Sequence, residues 1–278
     1  SLGGLVMIYL LFSILSSILI GNLLMIFNRN SKTDIVVVFL GNYFVAALFS
    51  LSSTRSLSGS VSWQELAFAA LAGFLFLFNF FVYHKNIQIN GLSISVGVMR
   101  IAVIIPIVLS LYFFRERISS VASLGIAFAL VAFWMLSEKQ HLRNFIWLAI
   151  LLLITGATDI TLKVFSEYGL MDRNLYLFFL FSASFVFTLG WIVAQKRMVN
   201  YSSLLYGFVL GIPNQMSSRF FLMGLNTIPA SIAYPLVASG IVLVSILCDG
   251  LFWKRRFNVR QRFAFGILIL GIVLINSR

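Results

Sequence analysis

Charge is scarce in this sequence. Only 10% of its 278 residues are charged, and eight are acidic. Ordinary globular chains carry about 25% charged residues, so a mostly water-facing surface is excluded. Cysteine occurs once, which rules out an intramolecular disulfide. His84 and His141 lie far apart, and with one cysteine they make no structural zinc site. The Walker lysine loop, the HExxH helix and the nucleophile elbow are missing. Those absences argue against an enzyme, and no cofactor or metal is expected.

What is present is apolar. Hydrophobic residues make up 60% of the chain, Phe alone occurs 29 times, and mean hydropathy is +1.01. A membrane-crossing helix needs about 20 mostly apolar residues. Charge-free runs of that order recur, among them 35–54, 118–137 and 198–218. Ten spans are expected, at 5–27, 35–51, 64–84, 91–113, 120–136, 144–166, 175–194, 202–224, 231–252 and 261–276. Backbone polar groups in lipid must be paired within the segment, which favours helices. A barrel would show shorter, alternating strands. The expected fold is an all-α polytopic membrane protein. The first run is too long for a cleavable signal and lacks its basic flank, and Met7 is a candidate native start.

The formal charge of +12 sits mostly in short loops. There it meets lipid head groups and sets orientation. No basic stripe or stacking platform recurs, so nucleic acid is not an expected partner.

One internal repeat is visible. Gly91-Leu92-Ser93-Ile94-Ser95 precedes Pro229-Ala230-Ser231-Ile232-Ala233 by about 138 positions, half the chain. Each segment opens a span with one proline, Pro106 or Pro235. Each span then runs into a charged cluster, Phe114-Arg115-Glu116-Arg117 or Phe252-Trp253-Lys254-Arg255-Arg256. A short last span follows each, with Gly125 or Gly266. The two repeats are 1–140 and 141–278. Five helices per repeat is an odd number, so the halves are inverted, an arrangement common in secondary transporters.

These residues carry a resemblance to the drug/metabolite transporter superfamily in its ten-helix EamA-type form. The sharpest stretch is Ile228-Pro229-Ala230-Ser231-Ile232-Ala233-Tyr234, followed by Gly240-Ile241-Val242-Leu243-Val244-Ser245. It is similar to the third helix of small multidrug resistance exporters. The ending from Gly266 to Asn276 is similar to their last helix. The resemblance implies a carrier with a central cavity. Spans one, three, four, six, eight and nine would line it, and spans five and ten would be peripheral. Those exporters depend on a first-helix glutamate. Residues 3–28 here hold no carboxylate, only Tyr9, Ser13, Ser16, Ser17, Asn22 and the terminal Asn28 as polar groups, which argues against cation-for-proton exchange.

Ionisable residues inside spans are costly and are functional candidates by default. Arg100 lies in the fourth span with no charged neighbour one turn away, so its partner is another helix, Asp159 or a substrate. Asp159 and Lys163 are spaced for an i, i+4 pair on the sixth span. Asp159 is either that pair's acid or a proton-coupling group. Arg219 follows Gly211-Ile212-Pro213-Asn214-Gln215, which is expected to kink its helix. Arg219 either lines the cavity or snorkels to the interface. Asn214 and Gln215 are expected to face the cavity, with Asn79 and Tyr234 as further contacts. His84 and Lys85 mark a pathway mouth or the head-group layer. Asp249 is read as an interfacial partner of Lys254.

Counting Arg100, Lys163 and Arg219 against Asp159 gives an excess of positive charge within the spans. That favours an anionic or zwitterionic substrate. Loops one, three, five, seven and nine hold most of the loop cations, which places both termini outside by the positive-inside rule. The resemblance implies both termini inside.

The sequence thus leads to a multi-pass carrier of a small metabolite in a bacterial inner membrane. Its expected partners are the substrate, membrane lipids and a coupling proton or cation, with the chain a monomer or homodimer. Two rivals stand beside it. One is an exporter of cationic or neutral amphiphiles using Phe78, Tyr83 and Tyr234. The other is a non-transporting subunit of a lipid-modifying complex.

Overall fold

The computed structural model describes residues 2–28, 32–54, 61–90, 92–136, 145–251 and 258–276. The expected repeat boundary at 140/141 lies outside the described residues, as do Gly91, Lys139, His141, Arg143 and Lys254–Arg256. The side chains of Cys248 and Asp249 lie outside them too.

Every described element is helical, in the order α1 (Leu2–Asn28), α2 (Ile35–Ser52), α3 (Trp63–Asn90), α4 (Leu92–Ile101), α5 (Ile104–Tyr112), α6 (Ser120–Leu136), α7 (Phe145–Tyr168), α8 (Arg173–Ala194), α9 (Tyr201–Leu225), α10 (Ala230–Leu251) and α11 (Val259–Asn276). Five helices, α1, α2, α3, α7 and α8, contain windows long and apolar enough to cross a membrane. Shorter apolar stretches fall at Val98–Tyr112, Ser120–Met135 and Ala230–Ser245. Met7, Leu11, Leu15 and Leu19 form an exposed apolar stripe on α1. These features fit an integral membrane protein.

Helix starts follow local chemistry. Asp34 caps α2 by accepting the Val36 N–H at 2.9 Å. Asp172 caps α8 by accepting those of Asn174 and Leu175. Ser62 and Glu65 make a reciprocal capping box at α3, and Asn258 and Gln261 make another at α11.

The expected fourth span is in fact two helices. Pro106 has no N–H to offer the Ala102 carbonyl. The Ile105 N–H takes that carbonyl instead, at 3.0 Å in a tighter turn. The β-branched run Val103-Ile104-Ile105 adds little helical preference of its own. The break falls after Ile101, one residue beyond Arg100. By contrast α9 continues through Pro213 and α10 through Pro235. The one break at a proline within a described span therefore falls at Pro106.

The chain forms two compact units. Unit 1 holds residues 1–77 and 164–224, and unit 2 holds 78–163 and 225–278. The division falls inside α3 and α7, so each unit draws on both sequence halves.

In unit 1, α2 packs along α8, and both are crossed at glycines. A Cβ on Gly73 would sit 2.4 Å from the Leu180 carbonyl oxygen, with Ala183 and Ser184 next to it. A Cβ on Gly211 would sit 2.6 Å from the Asn42 carbonyl oxygen, with Val45 and Ala46 next to it. These two contacts involve residues about 138 positions apart, member for member. The Ser50 hydroxyl donates to the Ala46 carbonyl and the Thr188 hydroxyl to that of Ser184, at the same offset. Phe27 stacks on Tyr206 at 4.4 Å, over Val38 and Leu210. Ser13 and Ser17 bond Ser217, joining α1 to α9.

In unit 2, α6 packs along α11, and α5 against α10. The Asn86 amide donates to the Val82 and Trp147 carbonyls, and Thr155 donates to Asn79 at 2.9 Å. Those bonds fasten α3 to α7.

Candidate functional site

Unit 2 gathers most of the candidate residues. Arg100 lies in the last turn of α4, next to the break in the fourth span. Basic residues in a helix's last turn oppose the partial negative charge of the helix C-terminus. Its charge acts on Asp159 of α7 and on the Tyr83 phenol of α3. The Arg100 Nε is buried and makes no hydrogen bond among the described residues. The Tyr234 hydroxyl, from α10, donates to the Asp159 backbone carbonyl. Asn79 and Thr155 pair on the same two helices, α3 and α7.

The i, i+4 pair expected between Asp159 and Lys163 gives way to a different arrangement. Lys163 reaches Glu116, with Nζ to Oε1 at 2.8 Å and both side chains nearly enclosed, 2% and 9% exposed. Glu116 lies in the non-helical segment after α5. Its carboxylate also accepts the Ala230 N–H, the Ser231 N–H and the Ser231 hydroxyl at 2.7–2.9 Å. Burial pushes the Glu116 carboxyl up, but the bonds from Lys163, Ser231 and Ala230 outweigh it and hold the group below the usual carboxylate range. The Lys163 ammonium lies 5.1 Å from the centre of the Phe114 ring.

Lys163 is neutralised by Glu116, and Arg100 lies within electrostatic reach of Asp159. With Glu116 counted, these four charges of unit 2 sum to zero, and Arg219 of unit 1 is the excess that remains. The sequence reading treated Glu116 as one member of a loop cluster, because it follows Arg115 and precedes Arg117. Its spacing from the Pro229-Ala230-Ser231 helix start carries no local signal. Asn86 was missed as well. An asparagine near a span end reads as interfacial, yet its side chain is fully buried.

Arg219, Asn214 and Gln215 fall in unit 1. Arg219 is half-buried on α9 and lies within electrostatic reach of Arg173, which is also felt by Asp172 and Tyr9. Tyr9 stacks on Phe220 at 6.3 Å. Asn214 is half-buried. Gln215 is wholly buried, and neither amide atom has a partner among the described residues. No three of His, Cys, Asp and Glu come together as a metal site among the described residues.

No family model matches the chain, and no curated protein does. A solved structure, described only as the crystal structure of a protein, is similar with a TM-score of 0.76 at 12% identity. The match covers 96% of this chain and 97% of that one. At such low identity the likeness concerns the fold alone.

Proposed function

We propose that this chain is a secondary carrier that moves a small zwitterionic or anionic metabolite by alternating access. It would belong to the drug/metabolite transporter superfamily, with ten spans in two inverted five-helix repeats, in the plasma membrane of a bacterium. The matched glycine crossings at Gly73 and Gly211 support the repeat, and so do the matched caps at Asp34 and Asp172. A helix broken beside a charged side chain is the form in which carriers present binding groups within the membrane.

The observation that carries the functional reading is the buried Arg100 Nε without a hydrogen bond. A guanidinium can bind a carboxylate or phosphate through two parallel N–H donors. With Asp159 as the opposite charge, the pair matches a zwitterion better than a simple cation. The balanced charges do not favour the amphiphilic-cation rival.

The test is a thermal-shift screen of the purified protein against carboxylates, phosphates, zwitterions and quaternary aromatic cations. A compound at 100 times its dissociation constant stabilises by about 2.7 kcal/mol. Zwitterions or anions should stabilise the wild-type protein, and Arg100→Ala should abolish the effect while staying folded. Stabilisation by cations alone, or undiminished stabilisation in Arg100→Ala, would contradict the reading.

A further inference from the structure

Helices α7 and α10 are pinned together at two adjacent levels. At the first, the Tyr234 hydroxyl holds the Asp159 carbonyl. At the second, one turn along α7 and about one turn back along α10, Glu116 joins Lys163 to the start of α10. Glu116 belongs to neither helix. It comes from the strap 113–119, the non-helical segment between α5 and α6.

The start of α10 lacks a cap from its own sequence. The residue before Ala230 is Pro229, which has no side-chain acceptor. The first N–H groups of any helix need partners from outside the helix. Here both oxygens of Glu116 serve Ala230 and Ser231, and Lys163 completes the set. The strap is itself fixed at its root, where the Glu116 N–H donates to the Ser110 carbonyl at 3.2 Å. Arg115, directly before Glu116, takes a left-handed backbone with φ of 52°. That conformation is unfavourable for a residue with a side chain. It turns the chain so that Glu116 points inward while Arg115 and Arg117 remain exposed.

A buried ion pair is a poor way to gain stability, since apolar residues of similar volume serve as well or better. Its attested advantage is to fix register. The register at stake here is that of α10 on α7, one turn from Asp159.

We propose that Glu116 and Lys163 are positioning residues for the Arg100–Asp159 site: through the strap they hold α10 in register on α7 and so set the surroundings of Asp159. This rests on the reading of Arg100 and Asp159 as the ligand site, but its test needs no ligand. Loosening the strap changes the site from a distance, and Tyr234 transmits the change.

The probe is dicyclohexylcarbodiimide, an apolar reagent for protonated carboxyls. The full-length protein in detergent is labelled across a pH series, and modification of Asp159 is read by peptide mass spectrometry. In Glu116→Gln the midpoint for Asp159 should move by about one pH unit, a tenfold change in the protonation equilibrium. Tyr234→Phe should move it similarly, and the double variant no further than the larger single change. Lys163→Arg, which keeps the charge pair, should leave the midpoint near wild type. If Glu116→Gln does not fold, Glu116→Asp, with the same charge and a shorter reach, replaces it and should give a smaller shift in the same sense. An unchanged midpoint in a folded Glu116 variant, or additive shifts in the double variant, would overturn the proposal. A silent ligand screen with the labelling shift intact would count against the carrier reading alone.

Discussion

The packing of unit 1 is written twice in the sequence, whereas the charged pairs of unit 2 are written once. Gly73 meets α8 as Gly211 meets α2, residue for residue. Arg100, Asp159 and Lys163 have no such echo, while the position matching Glu116 holds a charge of opposite sign, Lys254. The positions half a chain away from Arg100, Asp159 and Lys163 are Ala238, Gly21 and Met25, all uncharged. A duplicated contact is what the architecture requires of both halves. A charge present in only one half is not required by that architecture, and its cost must be offset by something else. That contrast separates scaffold from chemistry in a chain whose apolar faces otherwise look alike.

The sharpest way to break the contrast is to make unit 2 resemble its counterpart. Lys163→Met places at 163 the residue type found at 25. It leaves the Glu116 carboxylate enclosed without its cation, and removing one partner of a buried pair costs roughly 3–5 kcal/mol. Thermal unfolding in detergent should show a large loss. The double variant with Glu116→Gln should recover part of it.

The same pair gives a pH dependence. The Glu116 carboxyl is held below the usual range in the folded protein. Its contribution is therefore fully present above the unfolded carboxylate value and is lost as pH falls through the lower folded value. Melting temperature against pH should fall more steeply on the acid side in the wild-type protein than in Glu116→Gln. Equal slopes would mean that the bonds to Ala230, Ser231 and Lys163 carry no net stabilisation.

The duplicated contact allows a finer comparison. Gly73→Ala and Gly211→Ala each drive a methyl group into a backbone carbonyl that cannot move freely. Overpacking of this kind costs about 1–3 kcal/mol. Melting temperatures should drop by similar amounts in the two variants. Gly190→Ala is the control. Nothing lies within 4 Å of a Cβ there, and alanine favours the helix by about 0.5–1 kcal/mol. That variant should be neutral or slightly stabilised. A loss at Gly73 with none at Gly211 would undo the equivalence of the two crossings.

Much of the scaffold was legible in the sequence because it rests on local and periodic features. Apolar runs gave the helices, Asp34 and Asp172 stand at helix starts, and the offset of about 138 residues marks corresponding segments. The broken fourth span was half legible. Pro106 was visible, but three spans carry a proline, and only this one has a β-branched run beside it. The charges were legible, and Asp159 stood among the expected partners of Arg100, but the partner of Lys163 was not. Spacing along α7 favoured Asp159 with Lys163, whereas the fold brings in Glu116 from 47 positions away along the chain. Such a partner leaves no trace in helical periodicity. Gln215, expected at a cavity wall, is wholly buried, and one sequence cannot say which polar face of a helix meets protein.

In the proposed function, Arg100 binds a substrate that the protein carries across a membrane. The most direct measurement is counterflow in proteoliposomes, using the compound that stabilises the wild-type protein most strongly. Vesicles preloaded with unlabelled compound should accumulate the radiolabelled form through wild-type protein, and those holding Arg100→Ala should stay at the level of empty vesicles. No accumulation through wild-type protein, or equal accumulation through Arg100→Ala, would contradict it.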